Sequence, residues 1–269
     1  MVVPVGAAGE QGVGTPNIAR VRDYWLGGTH QTEADRRYAD YAAVCAPYLP
    51  YMVRAQRELL VRMVRYLVGQ GVRQFLDLGS GVPAVRHIHE VAQGMDPSVR
   101  VVYVDTDPGV VEDSRQLLDG NELAALVDAD IREPDRLLDH PQMRRLLDLS
   151  QPVAVLVIAT LQHIPDDDDP AAVLAAYRDA LCPGSYLAVS HFGPDEHLLA
   201  GHKLFDEMHL GTRPTVSLRD QDAIAALFTG LELVPPGVVP IVLWRPDPED
   251  DLGRDPDRLP ILAGLGRKP

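Results

Sequence analysis

Two apolar runs, each carrying an acidic residue at its end, constrain the fold of this chain most. Phe75-Leu76-Asp77-Leu78-Gly79-Ser80-Gly81 is followed by Val101-Val102-Tyr103-Val104-Asp105. The pattern predicts two parallel strands joined by a crossover helix. Glycines at 79 and 81 permit positive φ and close approach of a ligand to the backbone, while the helix start behind them offers unpaired N–H groups. An acid placed like Asp105 commonly accepts two ribose hydroxyls, so we predict a nucleotide-type site.

Composition and charge exclude several classes of protein. The chain has 269 residues, which suits one α/β domain, and its net charge of −14 argues against a nucleic-acid partner, because such binding depends on Lys and Arg. The longest apolar run, Val153 to Ala159, is far shorter than the ~18 residues of a membrane helix. Since no signal peptide is evident, we expect a cytoplasmic protein with no membrane partner. Cys45 and Cys182 match no disulfide or zinc pattern, so no metal is expected.

The first quarter of the chain is predicted to be helical. Residues 1–14 have no periodicity and are expected to form a disordered tail. Thr15 and Pro16 resemble a helix start, with the Thr15 hydroxyl as the N-cap. Apolar spacing predicts helices over 15–26, 33–44 and 53–68. We therefore expect residues 15–70 to form an N-terminal helical cap on a domain that spans 71–269.

Strand and helix patterns alternate after residue 71. Strands are predicted over 73–78, 99–104, 124–129, 152–159 and 185–191, and helices over 84–94, 109–119, 134–149, 170–182 and 217–229. Short connections between them imply a mostly parallel sheet with helices on both faces. Three strand-like runs without helices, at 231–234, 238–244 and 260–269, predict an antiparallel pair at the edge of the sheet.

Five motifs in order over residues 75–269 resemble those of S-adenosylmethionine-dependent methyltransferases of the class I, Rossmann-like type. They are Asp77-Leu78-Gly79-Ser80-Gly81, Asp105, Asp130-Ile131, Leu181 to Leu187 and the closing Arg267-Lys268-Pro269. The resemblance implies S-adenosylmethionine as cofactor. It places the methionine part at Asp77, Gly79, Ser80 and Gly81, the ribose at Asp105 and Thr106, and the adenine at Asp130 and the N–H of Ile131.

A narrower resemblance covers nearly the whole chain. The motifs that carry it are Pro16 to Arg20, Asp23 to Gly28, Asp35-Arg36, Gln74 to Asp77, His89 to Ala92, Tyr103 to Asp105, Gly184 to Leu187 and Ser190-His191. They are similar to an actinobacterial S-adenosyl methyltransferase family, formerly a domain of unknown function. This resemblance implies a cofactor but no particular methyl acceptor.

The N-terminal motif is a candidate lid over the cofactor. Methyl transfer requires collinear alignment of the reacting atoms and exclusion of water, and a helical cap over the carboxyl ends of the strands can provide both. We predict cofactor contacts from Asn17, Arg20, Tyr24 and Gly28. The alternative is that the polar residues form a solvated face. Trp25 and Leu26 are expected in the core.

The loop after the fourth strand is where this class of enzyme places residues that act on the acceptor. Its candidate is His163, whose imidazole could take a proton from an amine or hydroxyl. The family pattern usually has His where this chain has Gln162, so an ordinary loop histidine is the alternative. Asp166 to Asp169 are expected to cap the next helix rather than bind a metal, and His87 and His89 are expected at the surface.

The most consistent function is methyl transfer from S-adenosylmethionine to an unidentified, small-molecule acceptor. Two alternatives remain at this point. One is a cofactor-binding regulatory module without turnover, which Gln162 favours. The other is a nicotinamide-dependent oxidoreductase, which the absence of a third glycine in the loop disfavours. The sequence predicts no oligomeric state.

Overall fold

A computed structural model describes residues 16–82, 85–207, 216–250, 252, 254–256 and 259–269. One sheet forms its centre, with strand order β3-β2-β1-β4-β5-β8-β6, and β7 also pairs with β8. The strands are β1 Gln74–Leu78, β2 Arg100–Asp105, β3 Ala124–Asp128, β4 Ala154–Ile158, β5 Tyr186–Phe192, β6 Glu232–Leu233, β7 Val239–Pro240 and β8 Ile261–Arg267. The helices are α1 Ile18–Trp25, α2 Glu33–Cys45, α3 Leu49–Gly69, α4 Ile88–Met95, α5 Pro108–Leu117, α6 Pro134–Leu138, α7 Pro141–Leu146, α8 Pro170–Ala180, α9 Glu196–Glu207 and α10 Gln221–Ala226.

The first five strands are parallel and buried on both faces. β1 pairs with β2 on one side and with β4 on the other, so the direction of the crossovers reverses at β1. Every residue of β1 is buried, and separate apolar clusters cover the two faces of the sheet. A reversal of this kind opens a crevice at the carboxyl ends of the central strands. The sheet therefore places the ends of β1, β2 and β4 around one site.

The expected Rossmann-like class with an antiparallel edge is confirmed. β8 runs antiparallel to β5 from Tyr186↔Arg267 to Phe192↔Ile261. The two-residue strands β6 and β7 also pair antiparallel with β8. The run 238–244 was expected to be one strand. Only Val239–Pro240 is a strand, and Ile241–Leu243 forms a 3-10 helix. Proline has no N–H to donate to a neighbouring strand, which limits the pairing there.

Three helix predictions need correction. The single helix expected over 134–149 is two short helices, because Pro141 lacks an N–H and begins a new helix. The first crossover helix begins at Ile88 rather than at residue 84. The helix expected over 217–229 is confined to α10, where the Asp220 side chain accepts a hydrogen bond from the Ala223 N–H.

Three helices precede β1, as the sequence predicts. Asn17, rather than Thr15, caps α1: its side chain accepts hydrogen bonds from the N–H groups of Ala19 and Arg20, and Thr15 lies outside the described residues, as does the tail 1–14. α3 packs into the main core against the sheet. α1, α2 and α9 share a smaller apolar cluster, so the cap is completed by a helix from far along the chain. No helix in the described ranges is long and apolar enough to cross a membrane.

Candidate functional site

The loop that follows β1 is held in a left-handed conformation. Gly79 and Gly81 have φ of +74° and +61°, values that glycine adopts without steric cost. The N–H groups of Gly79 and Ser80 both donate to the Val104 carbonyl, at 2.9 and 3.0 Å. A Cβ at Gly79 would lie 2.2 Å from the Thr160 side chain. Glycine at position 79 therefore meets both a conformational and a steric requirement.

Asp105, at the end of β2, ties this loop to the second strand. Its Oδ2 accepts a hydrogen bond from the Gly81 N–H at 2.9 Å, and its Oδ1 accepts one from the Asp107 N–H at 3.0 Å. Burial raises the pKa of Asp105, while these N–H donors oppose the rise. Each carboxylate oxygen can accept a second hydrogen bond. The carboxylate thus retains acceptor capacity toward a ligand.

A cavity of about 370 Å³ lies at the carboxyl ends of the strands, and we call it the main cavity. α1 and α3 cover it from the cap side. The predicted site residues that line it are Asp77, Gly79, Ser80, Gly81, Asp105, Thr106, Asp130, Ile131 and His163. Its volume falls within the range usual for ligand pockets. The structure therefore brings together residues from four separate segments that the sequence assigned to one site.

Arg57 on α3 lines the main cavity near Asp77. Its Nη1 atom is buried and has no hydrogen-bond partner among the described residues. Burial lowers the pKa of the Arg57 guanidinium, and the charge of Asp77 opposes this. The pKa of Asp77 is raised to about 7 by burial, against the opposing effect of Arg57 and with a further contribution from Asp105. A buried cation with a free N–H therefore faces a carboxyl group that titrates near neutrality.

The raised pKa of Asp77 has a consequence for stability. Since the folded-state value is about 7 and the unfolded value 3.8, the folded state binds the proton more tightly. Lowering the pH from 8 to 5 should then stabilise the wild type by about 3 kcal/mol through this group. We expect the free energy of unfolding of Asp77→Asn, measured by chemical denaturation at each pH, to lack this increase. The exposed Asp119→Asn is the control, and a parallel pH dependence of wild type and Asp77→Asn would contradict the assignment.

Several residues of the main cavity were not predicted. Gln56 and Arg57 on α3 and Arg22 on α1 line it, and Arg22 Nη2 donates to Gln56 Oε1 at 3.0 Å. Burial and the neighbouring Arg57 lower the pKa of Arg22 to about 10. A signal was present in the sequence, because Gln56 interrupts the apolar face of α3 between Met52 and Leu59. A polar residue at a core position of an amphipathic helix indicates either a buried partner or a ligand.

The cap residues predicted to contact the cofactor are not among the described residues that line the main cavity. Arg20 Nε donates to the buried Asp35 carboxylate at 2.9 Å, and the Asn17 N–H donates to the same group at 2.7 Å. The Gly28 N–H donates to the Asp23 carbonyl, and a Cβ at Gly28 would overlap the Asp23 carboxylate. Tyr24 packs against the small cluster of the cap. α1 instead presents Ile18, Ala19 and Arg22 to the main cavity, and contact of the four predicted residues with a ligand stays a prediction.

His87 was expected at the surface, but the structure buries it. It is 1% exposed, its Nδ1 accepts a hydrogen bond from the Ile88 N–H, and its ring packs edge-on against Tyr103 at 4.8 Å. Burial and the charges of Arg57 and His89 hold its pKa well below the usual value. His89 is half-buried and bonded to the Tyr103 hydroxyl at 2.8 Å. His87 is therefore a neutral part of the main cavity wall.

Acidic side chains of the run 166–169 form hydrogen bonds and ion pairs within the protein. Asp169 accepts a hydrogen bond from the Ala172 N–H and caps α8, as predicted. Asp168 pairs with Arg132 at 2.8 Å, and Arg132 also binds Asp130 at 2.6 Å. Hydrogen bonds from Arg132 lower the pKa of Asp130 against the effect of burial. Asp130 therefore lies on the main cavity as a carboxylate with a paired charge.

The loop after β4 closes the other side of the main cavity. Thr160 Oγ1 donates to the Gly79 carbonyl at 3.0 Å, so this loop contacts the glycine loop directly. Ala159 has a φ of +59°, an unusual value for a residue with a side chain. His163 is exposed, and its N–H donates to the Thr160 carbonyl at 2.9 Å. The loop thus places His163 on the wall of the main cavity.

A second, smaller cavity of about 120 Å³ adjoins the main cavity, and we call it the side chamber. α1, α2, α3 and α9 enclose it, together with the loop after β4. Four residues line both cavities, namely Ile18, Arg22, Gln56 and His163. The rest of the wall is largely apolar and includes Trp25, Tyr38, Leu49, Met52, Phe192 and Phe205. α9 contributes Leu198, Gly201, His202 and Phe205 to this wall.

Comparison with known proteins agrees with this geometry. A family described as S-adenosyl methyltransferase matches residues 9–269. A presumed methyltransferase from Thermobifida fusca is 42% identical, with 98% of this chain and 99% of that chain covered and a TM-score of 0.84. A DUF574 family protein from Streptomyces avermitilis is 35% identical, with 95% and 98% covered and a TM-score of 0.86. Among curated proteins none matches.

A more distant structure shows the fold alone. The S-adenosylmethionine-dependent methyltransferase from Methanosarcina mazei is 16% identical, with 76% of this chain and 96% of that chain covered and a TM-score of 0.51. The family model is stronger evidence than this distant structure, because it matches nearly the whole chain and so includes the cap as well as the sheet. The chain therefore belongs to the S-adenosyl methyltransferase family and is an S-adenosylmethionine-dependent methyltransferase.

Proposed function

We propose that this methyltransferase transfers the methyl group of S-adenosylmethionine to a small-molecule acceptor held in the side chamber. The observation that supports this is that the two cavities adjoin each other and have four lining residues in common. Ile18, Arg22, Gln56 and His163 form a shared wall between the main cavity and an apolar chamber beneath the cap. A chamber of about 120 Å³ suits a small molecule or one end of it. Nucleic acid is disfavoured as the acceptor by the net charge of −14.

The residues of the main cavity fit the cofactor. S-adenosylmethionine carries a carboxylate, an ammonium, a ribose and an adenine. The unpartnered Nη1 of Arg57 suits the carboxylate, and Asp77 suits the ammonium. Asp105 has the acceptor capacity for ribose hydroxyls, with Thr106 beside it, and Asp130 and the Ile131 N–H suit the adenine. Gly79, Ser80 and Gly81 provide a backbone surface that a ligand can approach closely.

The catalytic contribution of the protein is positioning and exclusion of water. When bound, S-adenosylmethionine supplies an electrophilic methyl group on a sulfonium. The cap helices and the Thr160 loop hold the main cavity beside the side chamber, so an acceptor in the chamber is placed next to the bound cofactor. Holding two reactants in a reactive geometry accounts for a large share of such rate enhancements. The proposed role of His163 is to receive the proton that the acceptor loses.

A turnover assay tests this proposal. The purified protein is supplied with S-adenosylmethionine and fractionated cell extract, and we expect S-adenosylhomocysteine to accumulate with one fraction. His163→Ala should lower the rate by about 10²-fold if the imidazole acts as the base. His197→Ala, an exposed histidine on α9, is the control. A loss of tenfold or less would leave positioning as the main contribution.

The alternative of a regulatory module without turnover is a defined outcome of the same assay. Tight binding of S-adenosylmethionine, measured by calorimetry, with no product above the protein-free control from any fraction would overturn methyl transfer. Product formation that is equal in wild type and in a variant unable to bind cofactor would point to a contaminating enzyme.

A further inference from the structure

Two buried amide side chains on the wall of the side chamber indicate the chemical nature of the methyl acceptor. The chamber wall is mostly apolar, and the fixed polar groups on it are few. Gln162 and Gln56 are both on the wall and are 1% and 2% exposed. Each of them has one polar atom without a hydrogen-bond partner among the described residues, Oε1 in Gln162 and Nε2 in Gln56.

The orientation of the Gln162 amide follows from the hydrogen bond that its nitrogen makes. Nε2 donates to the Ala159 carbonyl at 2.6 Å. An oxygen in that position would face another oxygen, so the nitrogen has to lie there. The remaining atom, Oε1, is therefore an acceptor with a free lone pair. Gln162 therefore supplies a neutral acceptor on the wall of the side chamber.

In Gln56 it is the amide oxygen that is hydrogen-bonded and the nitrogen that has no partner in the described part of the chain. Its Oε1 accepts a hydrogen bond from Arg22 Nη2 at 3.0 Å, and a guanidinium can only donate. The unpartnered atom is therefore Nε2, a donor. Gln56 lines both cavities, so its free N–H lies near the shared wall. Two residues on the wall of the side chamber thus carry one free acceptor and one free donor.

Unpaired buried amides cost free energy, and sites that bind polar ligands retain them for that purpose. A group that satisfies both atoms must donate to Gln162 Oε1 and accept from Gln56 Nε2. A neutral hydroxyl does both. A cavity of about 150 Å³ lined by apolar side chains can hold benzene, so about 120 Å³ suits a body of roughly that size.

We propose that the methyl acceptor is a neutral hydroxyl compound whose reacting end is a ring-sized apolar body, with its hydroxyl bound by Gln162 and Gln56. This rests on the function proposed above. In the transfer, a lone pair of the hydroxyl oxygen forms the O–CH₃ bond as the CH₃–S bond breaks and its electron pair stays on sulfur. As this bond forms, the hydroxyl proton leaves its hydrogen bond with Gln162 Oε1 and passes to the imidazole of the adjacent residue, His163, which lines both cavities. The products are a methyl ether, S-adenosylhomocysteine and the protonated base.

Ligand binding can be followed through Trp25, because it lines the side chamber and the only other tryptophan, Trp244, is fully buried in the main core. The full chain is saturated with S-adenosylhomocysteine and titrated with phenol or toluene. We expect saturable quenching by phenol and about tenfold weaker binding of the similarly sized toluene. Trp25→Phe should remove the signal.

Two variants separate the shape of the chamber from its amides. Ala42→Leu fills the side chamber, and Ala43→Leu makes the same change on the same helix at a residue that does not line it. We expect Ala42→Leu to lose phenol binding and extract-dependent methyl transfer by about tenfold or more while cofactor affinity is kept. Gln162→Met, which is of similar length, should remove the preference for phenol over toluene without closing the chamber.

The outcomes distinguish this inference from the function on which it rests. Equal affinity for phenol and toluene in the wild type would overturn the hydroxyl assignment. Equal methyl transfer by Ala42→Leu and Ala43→Leu would overturn the side chamber as the acceptor site. If phenol binds as expected but no extract fraction is methylated, methyl transfer is overturned and the chamber stands as a binding site for hydroxyl compounds.

Discussion

Replacing Arg57 with methionine is expected to weaken the binding of S-adenosylmethionine by about 10²-fold. Methionine keeps much of the apolar stem of the side chain but removes a buried charge whose Nη1 atom is otherwise unpartnered. The cofactor carboxylate would then enter a buried site without a cation, next to the carboxyl group of Asp77. Truncating one partner of a buried charge pair commonly costs 2–5 kcal/mol, of which about 2.7 kcal/mol corresponds to 10²-fold. Isothermal titration calorimetry measures the change.

A matched control comes from the same helix. Arg54 on α3 is exposed and does not line the main cavity, so Arg54→Met should leave the affinity unchanged. Arg57→Lys retains the charge but not the planar fork, and we expect an intermediate loss. Equal affinities of wild type and Arg57→Met would show that the guanidinium does not contact the cofactor.

The cofactor half of the site could be predicted because its signals are local. Asp77, Gly79 and Gly81 follow one buried strand and Asp105 ends the next, so parallel pairing alone brings them together. The predicted strand 73–78 differs from the observed β1 by one residue. Arg57 could not be assigned in the same way, since it lies on a helix before β1. Only the packing of α3 against the sheet brings it over Asp77.

The cap shows that the residues of a motif can have structural roles besides the ligand contacts predicted for them. Asn17 and Arg20 belong to a segment that resembles the family, and we predicted that they touch the cofactor. In the structure Asn17 caps α1, and both residues donate hydrogen bonds to Asp35, which is also the third residue of α2. These bonds account for the residue types without a ligand. The contacts that α1 makes to the main cavity come from its Ile18, Ala19 and Arg22.

The burial of His87 depends on tertiary structure in a similar way. Polar residues at a helix start are commonly exposed, which led to the surface prediction. His87 does occupy the N-cap position of α4, but Tyr103 from β2 packs against its ring and the main cavity adjoins it. No local pattern in the sequence specifies that contact.

Arg219→Met is expected to destabilise the protein by about 3 kcal/mol and to lower methyl transfer. Arg219 is 8% exposed and donates to the Ile164 carbonyl at 3.2 Å and to the ring of His191. Burial lowers the pKa of His191 to about 4, with Arg219 contributing, so the imidazole is neutral at pH 7. Its Nδ1 donates to the Phe192 carbonyl at 2.9 Å, which leaves Nε2 to accept from the guanidinium. Loss of Arg219 leaves these buried acceptors unpaired.

The functional effect follows from where these acceptors lie. Ile164 is next to His163, so Arg219 connects β5 to the loop that forms the shared wall of the two cavities. We expect Arg219→Met to lower the maximal rate about tenfold by misplacing His163, with the cofactor affinity changed by less than about threefold because Asp77, Asp105 and Arg57 lie on other elements. Arg219→Lys should restore part of the stability but less of the rate, since an ammonium lacks the fork that spans both acceptors.

Two controls separate this network from surface charge. Arg136 is exposed and pairs with Glu133 at 2.9 Å, so Arg136→Met should change stability by less than ~1 kcal/mol. Asp166, the exposed partner of Arg219, should likewise tolerate substitution by Asn at small cost. Urea denaturation gives the stability, and initial rates at saturating cofactor give the turnover. If Arg219→Met is no less stable than Arg136→Met, or if it loses cofactor affinity as strongly as turnover, Arg219 does not position the loop in this way.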